Sequence, residues 1–327
     1  MRLQSANAAV GCAAGDFASD VQYYLSQHPR QLPSKYLYDD LGSALFDAIT
    51  LLPWYPLSRA ESRLIRANAR DVLFSGGTPA STIVELGPGN GTKLASLIAS
   101  AGTIHPRPRL HLVDVSVSAL ARAAQAISET GIADVTPHAA TYEEGIAEAA
   151  PAIHASSRTI VVFFGSNIGN FDPPGCNAFL HMVRAALRHG DALLLGADLV
   201  KAEPDLLEAY DDPLGVTAAF NRNLLVRLNR ELGATIDPSA FEHRAIWNAE
   251  ESRIEMHLAS TRDCRLVIPA ADVDIRMTRG ETIWTESSYK YDLPDLERTL
   301  RHAGFEPASI WIDDVDRFAL VLAEVRA

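Results

Sequence analysis

Thr82-Ile-Val-Glu-Leu-Gly-Pro-Gly-Asn-Gly-Thr-Lys93 is the stretch on which the fold turns. A short apolar run ends in glycines at 87, 89 and 91, and a helical period starts immediately after them. Such glycines let the chain turn tightly and let the backbone approach a ligand closely, at the carboxyl end of a strand where open α/β sheets bind nucleotides. A dinucleotide fingerprint needs its third glycine one position later, where Thr92 stands, and a Walker phosphate loop needs a Gly-Lys-Ser/Thr end that is absent. The loop therefore points to another nucleotide-type ligand.

Outward from this loop, apolar runs at 82–86, 110–115, 135–140, 158–164 and 192–199 alternate with helical spacing around 92–101, 117–130 and 173–188. A parallel strand pair needs a helix-length crossover, so the pattern predicts a doubly wound α/β sheet with about five strands before residue 200. Residues 201–290 break the rhythm: a helix from Val216 to about Leu232 precedes alternating segments near 243–248, 253–260, 264–269 and 282–288. A helix with a strand meander reads as a second, smaller α+β domain. A helix at 293–303 and strands at 308–312 and 318–325 then return to the sheet as an antiparallel edge pair. Before the sheet, residues 18–71 read as helical and loop-rich. Pro53 and Pro56 end an amphipathic segment, 45–52, and Ser58-Arg-Ala-Glu61 has the spacing of a capping box at the start of a longer helix. The expected division is a cofactor domain of 64–200 and 289–327 and a substrate domain of 15–63 and 201–288, with a ligand in the cleft between them.

Composition excludes several classes. The 327 residues carry 29 Lys+Arg against 41 Asp+Glu, a net charge of −12, without a basic stripe, so nucleic acid is not an expected partner. The longest apolar run, 159–164, is a strand's length, and a membrane span needs about 20 residues. Cys12, Cys176 and Cys264 are scattered, which indicates neither disulfides nor a zinc knuckle and fits a reducing cytoplasm. No ligand-spaced histidine cluster appears, so no metal is expected. Residues 1–14 read as a frayed terminus rather than a leader.

Asp114 ends the second apolar run, where a carboxylate can accept both hydrogen bonds of a ribose diol; a helix N-cap is the alternative. Val161-Val-Phe-Phe-Gly-Ser-Asn-Ile-Gly-Asn170 occupies the switch-point position opposite the glycine loop. Its Gly165-Ser166 is out of register for a Gly-x-Ser-x-Gly nucleophile. Glu286 and Ser288 sit two apart in an alternating segment, so they share a face, and a carboxylate beside a hydroxyl suits a ring with two nitrogen positions.

Gly-x-Gly-x-Gly preceded by Glu85 resembles motif I of Rossmann-like class I methyltransferases that use S-adenosylmethionine. Tyr36-Leu-Tyr-Asp-Asp-Leu-Gly-Ser-Ala-Leu-Phe46, Leu52-Pro-Trp-Tyr-Pro56, Phe164-Gly-Ser-Asn-Ile-Gly-Asn170, Gly215-Val-Thr-Ala-Ala-Phe-Asn-Arg-Asn223 and Thr285-Glu-Ser-Ser-Tyr-Lys-Tyr291 resemble the histidine-specific Nα-methyltransferases of ergothioneine biosynthesis, from about residue 15 to 326. That resemblance implies an enzyme that trimethylates L-histidine, through its mono- and dimethyl forms, to hercynine; a monomer is expected. It implies that Gly87, Lys93, Asp114 and Gly165 contact S-adenosylmethionine, with Tyr142 stacked on the adenine. Tyr55, Asn170 and Tyr210 would hold the amino and carboxylate ends, Met256, Glu286 and Ser288 the imidazole, and Tyr38 would stand beside the amine. In place of the family's acidic-aromatic pair the chain has Thr141-Tyr142-Glu143, which reassigns the bond to the adenine amino group to a backbone carbonyl or Glu143. The competing readings are a relative acting on another amino acid or amine, and a binding protein without catalysis.

Overall fold

A computed structural model describes residues 14–102, 107–131 and 134–326; residues 1–13, with Cys12 and the reading of a frayed terminus, lie outside the described residues. In chain order the elements are α1 (Ala14–Leu25), β1 (Arg30–Gln31), α2 (Asp40–Leu51), α3 (Leu57–Phe74), β2 (Thr82–Leu86), α4 (Thr92–Ser100), β3 (Arg109–Asp114), α5 (Val117–Ser128), β4 (Val135–Ala139), α6 (Tyr142–Ala155), β5 (Thr159–Phe163), α7 (Pro173–Ala186) and β6 (Ala192–Asp198). They continue with α8 (Glu203–Tyr210), α9 (Val216–Leu232), β7 (Phe241–Asn248), β8 (Arg253–Ser260), β9 (Cys264–Ile268), β10 (Val273–Met277), β11 (Thr282–Tyr289), α10 (Leu293–His302), β12 (Phe305–Asp313) and β13 (Phe318–Val325). No helix among the described residues is long and apolar enough to cross a membrane.

The chain forms two compact units. The sheet unit is Pro56–Val200 with the chain from Lys290 onward, and the insert unit is the chain up to Tyr55 with Lys201–Tyr289. The first change of unit thus falls at 55/56 rather than at the expected 63/64. The reason is α3, a continuous helix from Leu57 that packs on α4 and β13 of the sheet unit. Its expected capping box is also absent: the N-cap is Pro56, without a side-chain cap, and Glu61 points into the interior.

In the sheet unit seven strands lie in the order β12-β13-β6-β5-β2-β3-β4. The five from β2 to β6 are parallel, and β13 pairs antiparallel with both β6 and the edge strand β12. Ile83, Val84, Leu86, the 160–163 run and Leu193 to Leu195 are all fully buried, because helices cover both faces of a parallel sheet. Pro137 is tolerated in β4 because that strand is an edge. The order reverses between β2 and β5, which makes the loops after those two strands the switch point. Helix α6 was not among the helices expected from spacing; Thr141 and Glu144 cap it reciprocally, and Pro151 interrupts its pattern.

In the insert unit the sheet order is β1-β11-β8-β7, and β9-β10 form a separate hairpin. The expected meander is therefore broken in its middle by a hairpin of its own. Helix α9 packs against β7 and β8 with Phe220, Asn221, Leu224, Leu225 and Leu228 buried. The register of β11 on β8 shifts between Trp284 and Glu286, leaving Thr285 as the extra residue of a bulge.

Glu85 is a carboxyl inside the fully buried strand β2, and its Oε2 has no hydrogen-bond partner among the described residues. Burial pushes its pKa up to about 8; Lys93 opposes that rise, and Glu61 and Asp114 add to it. The folded protein thus keeps this proton while the unfolded chain gives it up near the ordinary glutamate range. Stability from this group is complete at acid pH and is lost as pH rises toward about 8. Glu85→Gln should gain stability relative to wild type between pH 5 and 8, by a slope approaching about 1.4 kcal/mol per pH unit, and the gain should level off above that. Denaturant melts across this range check it; an offset that does not change with pH contradicts a neutral buried carboxyl.

Candidate active site

In the sheet unit the loop after β2 has Gly87, Gly89 and Gly91 all at positive φ, with Gly91 as a left-handed N-cap that offers α4 no side-chain cap. At Gly87 a Cβ would come within 3.0 Å of Tyr142 Oη and 3.2 Å of Asn167 Nδ2, so the position has neither the backbone conformation nor the space for a side chain. Asp114, at the end of β3, accepts from the Ser116 amide at 2.8 Å, and Ser116, not Asp114, caps α5. Burial pushes the Asp114 carboxyl upward and the Ser116 amide opposes it.

Tyr142 lies at the start of α6 with its ring against Phe163 and Phe179, centroids 5.5 and 6.0 Å away, and its hydroxyl directed at Gly87. This presents the hydroxyl to the glycine loop and sets the half-buried ring edgewise against core aromatics. Burial raises the phenol's pKa, so the group is a neutral donor. Glu143 is exposed, and Glu144 is the residue committed to the cap.

The loop after β5 begins with Gly165 and Ser166, both at positive φ. Ser166 is buried and its Oγ accepts from the Asp198 amide at 2.9 Å, a structural role that agrees with the failed nucleophile register. Asn170, half-buried, ends the short 3₁₀ turn that follows. Two residues here were not expected at the site from sequence. Asn167 reaches both loops, its Nδ2 near Gly87 and its Oδ1 3.4 Å from the Cβ position of Gly165. Glu61 of α3 accepts from the Gly165 N–H at 2.9 Å with each carboxylate oxygen and pairs with Lys93 Nζ at 2.5 Å.

In the insert unit, aromatic rings link the residues expected at the substrate. Tyr38 stacks edgewise on Phe46 and Phe220, at 5.5 and 5.4 Å between centroids. Phe46 meets Tyr55 at 6.2 Å, and Tyr55 meets Tyr210 at 6.1 Å. Tyr210 closes the series through a hydroxyl contact of 2.8 Å with Ser288 Oγ. Met256 lies directly opposite Glu286 across the β8–β11 pair, and both are buried. Tyr38, Tyr55, Tyr210, Ser288, Glu286 and Met256 are thus brought together within this unit.

Local chemistry explains the placement. Asp39, next to Tyr38, caps α2 by accepting from the Gly42 amide, and it accepts from Asn223 at 2.7 Å and from Arg230 at 2.6 Å on α9. Burial would raise its pKa; the Arg230, Gly42 and Asn223 bonds outweigh that and hold the carboxyl below the usual range. Thr285 Oγ1 donates to Asn221 Oδ1 at 2.7 Å, and Asn221 Nδ2 lies 2.9 Å from His243 Nδ1 and donates to the His257 carbonyl at 3.1 Å. His243 Nε2 lies 2.7 Å from the Tyr210 carbonyl, so a neutral ring protonated at Nε2 satisfies every partner. This network spans from the bulge before Glu286 to the end of the helix that carries Tyr210.

Residues 17–325 match the protein family described as histidine-specific methyltransferase, S-adenosylmethionine-dependent. The chain is 38% identical over 325 residues to the histidine N-alpha-methyltransferase of Mycolicibacterium smegmatis and 39% identical over 326 residues to that of Mycobacterium tuberculosis, with 99% of each chain covered in both pairs. It is 28% identical to an N-methyltransferase of Aspergillus fumigatus, over 95% of this chain and 84% of the relative. On this match, the chain belongs to the S-adenosylmethionine-dependent histidine-specific methyltransferase family.

Proposed function

We propose that this enzyme methylates the α-amine of L-histidine three times, through the mono- and dimethyl forms, to hercynine, the first step of ergothioneine biosynthesis. The observation that carries the substrate is the buried group on β11 and its neighbours: the Glu286 carboxylate opposite Met256, and the Ser288 hydroxyl 2.8 Å from Tyr210 Oη. An acceptor and a donor/acceptor hydroxyl on one strand face match the two nitrogens of an imidazole, and Met256 supplies an apolar surface for the ring.

The residues of the sheet unit fit S-adenosylmethionine. The bare backbone at Gly87 and Gly165 permits close approach, Asp114 suits ribose hydroxyls, and the Lys93 ammonium is complementary to a carboxylate. When bound, S-adenosylmethionine supplies an electrophilic methyl group on sulfur. Tyr142 donates from its hydroxyl at the glycine loop, and Val115, exposed beside Asp114, offers an apolar contact to a purine.

On the substrate side, an α-ammonium must lose a proton before its nitrogen is nucleophilic. Tyr38, as a neutral phenol, orders a water that takes this proton. Tyr55 and Asn170 hold the amino and carboxylate ends, with Tyr210 assisting. Each methylation replaces an N–H donor by a methyl group and leaves a cation that hydrogen bonds serve less and less. The rings of Tyr38, Phe46 and Tyr55 meet that change, because aromatic faces attract a methylated ammonium without needing an N–H. We further propose a cytoplasmic monomer whose partners are histidine and its partly methylated forms.

Turnover of the twenty amino acids with S-adenosylmethionine, followed by mass detection, tests the substrate: histidine should be methylated to the trimethyl product, and no turnover of histidine overturns the reading. Binding of S-adenosylhomocysteine without any methylated product would instead mark a non-catalytic binding protein. Glu286→Gln should lower kcat/KM for histidine by roughly 10- to 100-fold, the worth of one hydrogen bond to a charged group, and reduce discrimination against other amino acids.

Tyr38→Phe should leave the histidine KM within about threefold, lower kcat and leave mono- or dimethylated product. Asn170→Ala should raise KM by about tenfold or more, with a smaller change in kcat. Steady-state kinetics with product mass analysis separate the two, and unchanged kinetics in both remove these assignments.

A further inference from the structure

Glu61 is the least expected residue at the switch point. It comes from α3, outside the β–α repeats that build the sheet, and its side chain has no exposure. A buried carboxylate costs several kcal/mol unless its partners satisfy it fully. Here both oxygens accept from the Gly165 N–H at 2.9 Å, and Oε2 lies 2.5 Å from Lys93 Nζ. The fold also clears a slot for it: a Cβ on Gly196 of β6 would fall 1.9 Å from Glu61 Oε1. Glycine costs stability within a strand, so this clearance marks the carboxylate as a fixed feature of the fold.

Its two partners follow the two strands that diverge at the switch point, Lys93 in the first turn of α4 after β2 and Gly165 in the loop after β5. Lys93 Nζ lies 3.5 Å from the Cβ position of Gly165, toward β5, whereas Asp114 ends β3 on the other side of β2. A ligand with its ribose at Asp114 and its chain running toward β5 brings its amino-acid end to Lys93. The carboxylate is the anionic group of that end. Alone, a lysine with four rotatable bonds samples many positions.

We propose that Glu61 is a positioning residue for the amino-acid end of the cofactor: fixed by the Gly165 amide, it holds the Lys93 ammonium where that group receives the carboxylate. This rests on the assignment of Lys93 to the cofactor. A merely structural ion pair would affect every ligand of the pocket alike, whereas a positioning role acts on the amino-acid tail and acts through Lys93.

The test is calorimetry on the full chain with S-adenosylhomocysteine and with 5′-methylthioadenosine, which has the same nucleoside but no amino-acid tail. Glu61→Gln, which keeps the size and one acceptor for Gly165, should weaken S-adenosylhomocysteine by about tenfold or more and methylthioadenosine by less than about twofold. Lys93→Gln should show the same pattern, and the double variant should bind no more weakly than Lys93→Gln alone. Equal losses for both ligands in Glu61→Gln, or no loss for either, overturn the proposal. If Glu61→Gln does not fold, the comparison of Lys93→Gln with the double variant, in which no buried charge is left without its partner, still decides: a further loss in the double variant overturns it. Full affinity of Lys93→Gln for S-adenosylhomocysteine overturns the Lys93 assignment itself, and is distinguishable because it appears without any change at Glu61.

Discussion

A buried ion pair closes the sheet around the inserted chain. Asp198 Oδ2 and Lys290 Nζ are 3.1 Å apart and neither side chain is exposed. Beside them Leu199 bridges Tyr291, the Tyr291 amide donates to Asp198, the Val200 amide donates to Tyr291, and the Tyr291 hydroxyl reaches the Ile168 carbonyl at 3.1 Å. The chain thus leaves the sheet unit and re-enters it at one stitched point. Loop-closure entropy grows only slowly with length, about 0.6 kcal/mol per doubling, so a long insertion is tolerated once its ends are pinned. A buried ion pair adds little net stability, but removing either partner would leave a bare buried charge, so Asp198 and Lys290 depend on each other. After this return, β13 pairs with β6 and completes the sheet.

The same aspartate reaches the switch point through its backbone. Its amide donates to Ser166, the residue after Gly165, whose own amide is held by Glu61. Two consecutive residues at positive φ, one of them not glycine, are therefore held from two directions, by β6 and by α3. A strained turn persists where its surroundings over-determine it. The insert unit uses the same economy with neutral groups: Asn221 serves Thr285, the His257 carbonyl and His243, and His243 serves the Tyr210 carbonyl. One amide on α9 thereby fixes both the bulge that aims Glu286 and the helix end that carries Tyr210.

These constraints explain what was legible in the sequence. The parallel strands could be read because burial on both faces demands uninterrupted apolar runs, and the 159–163 and 193–195 runs have no polar side to confuse them. The three glycines of the loop after β2 could be read because a tight strand-to-helix turn needs that residue type where φ is positive. The shared face of Glu286 and Ser288 was legible only because both follow the bulge. Alternation counted from Trp284 would have crossed the register shift, and nothing local marks Thr285 as the extra residue. Helix α6 was hidden by Pro151, and the β9–β10 hairpin by its resemblance to one more pair of a meander. Glu61 was misread because a carboxylate three residues after a serine fits a cap, whereas its partners are far away in sequence at Lys93 and Gly165.

Charge balance under the glycine loop is the last consequence of this arrangement. Glu61, Asp114 and Lys93 all lie within electrostatic reach of Glu85, three carboxyls against one ammonium. An ionised Glu85 would add a further negative charge beside Lys93, the group that the proposed function assigns to a carboxylate. Glu85 avoids this by keeping its proton up to about pH 8, because it is buried without a hydrogen-bond partner for Oε2. Glu61, by contrast, is bonded by Gly165 and Lys93. A neutral Glu85 removes one negative charge from around Lys93, whose side chain is partly exposed. Two glutamates that look equivalent in composition are thus divided by their hydrogen bonds into a neutral core residue and a bonded partner that holds a lysine in place.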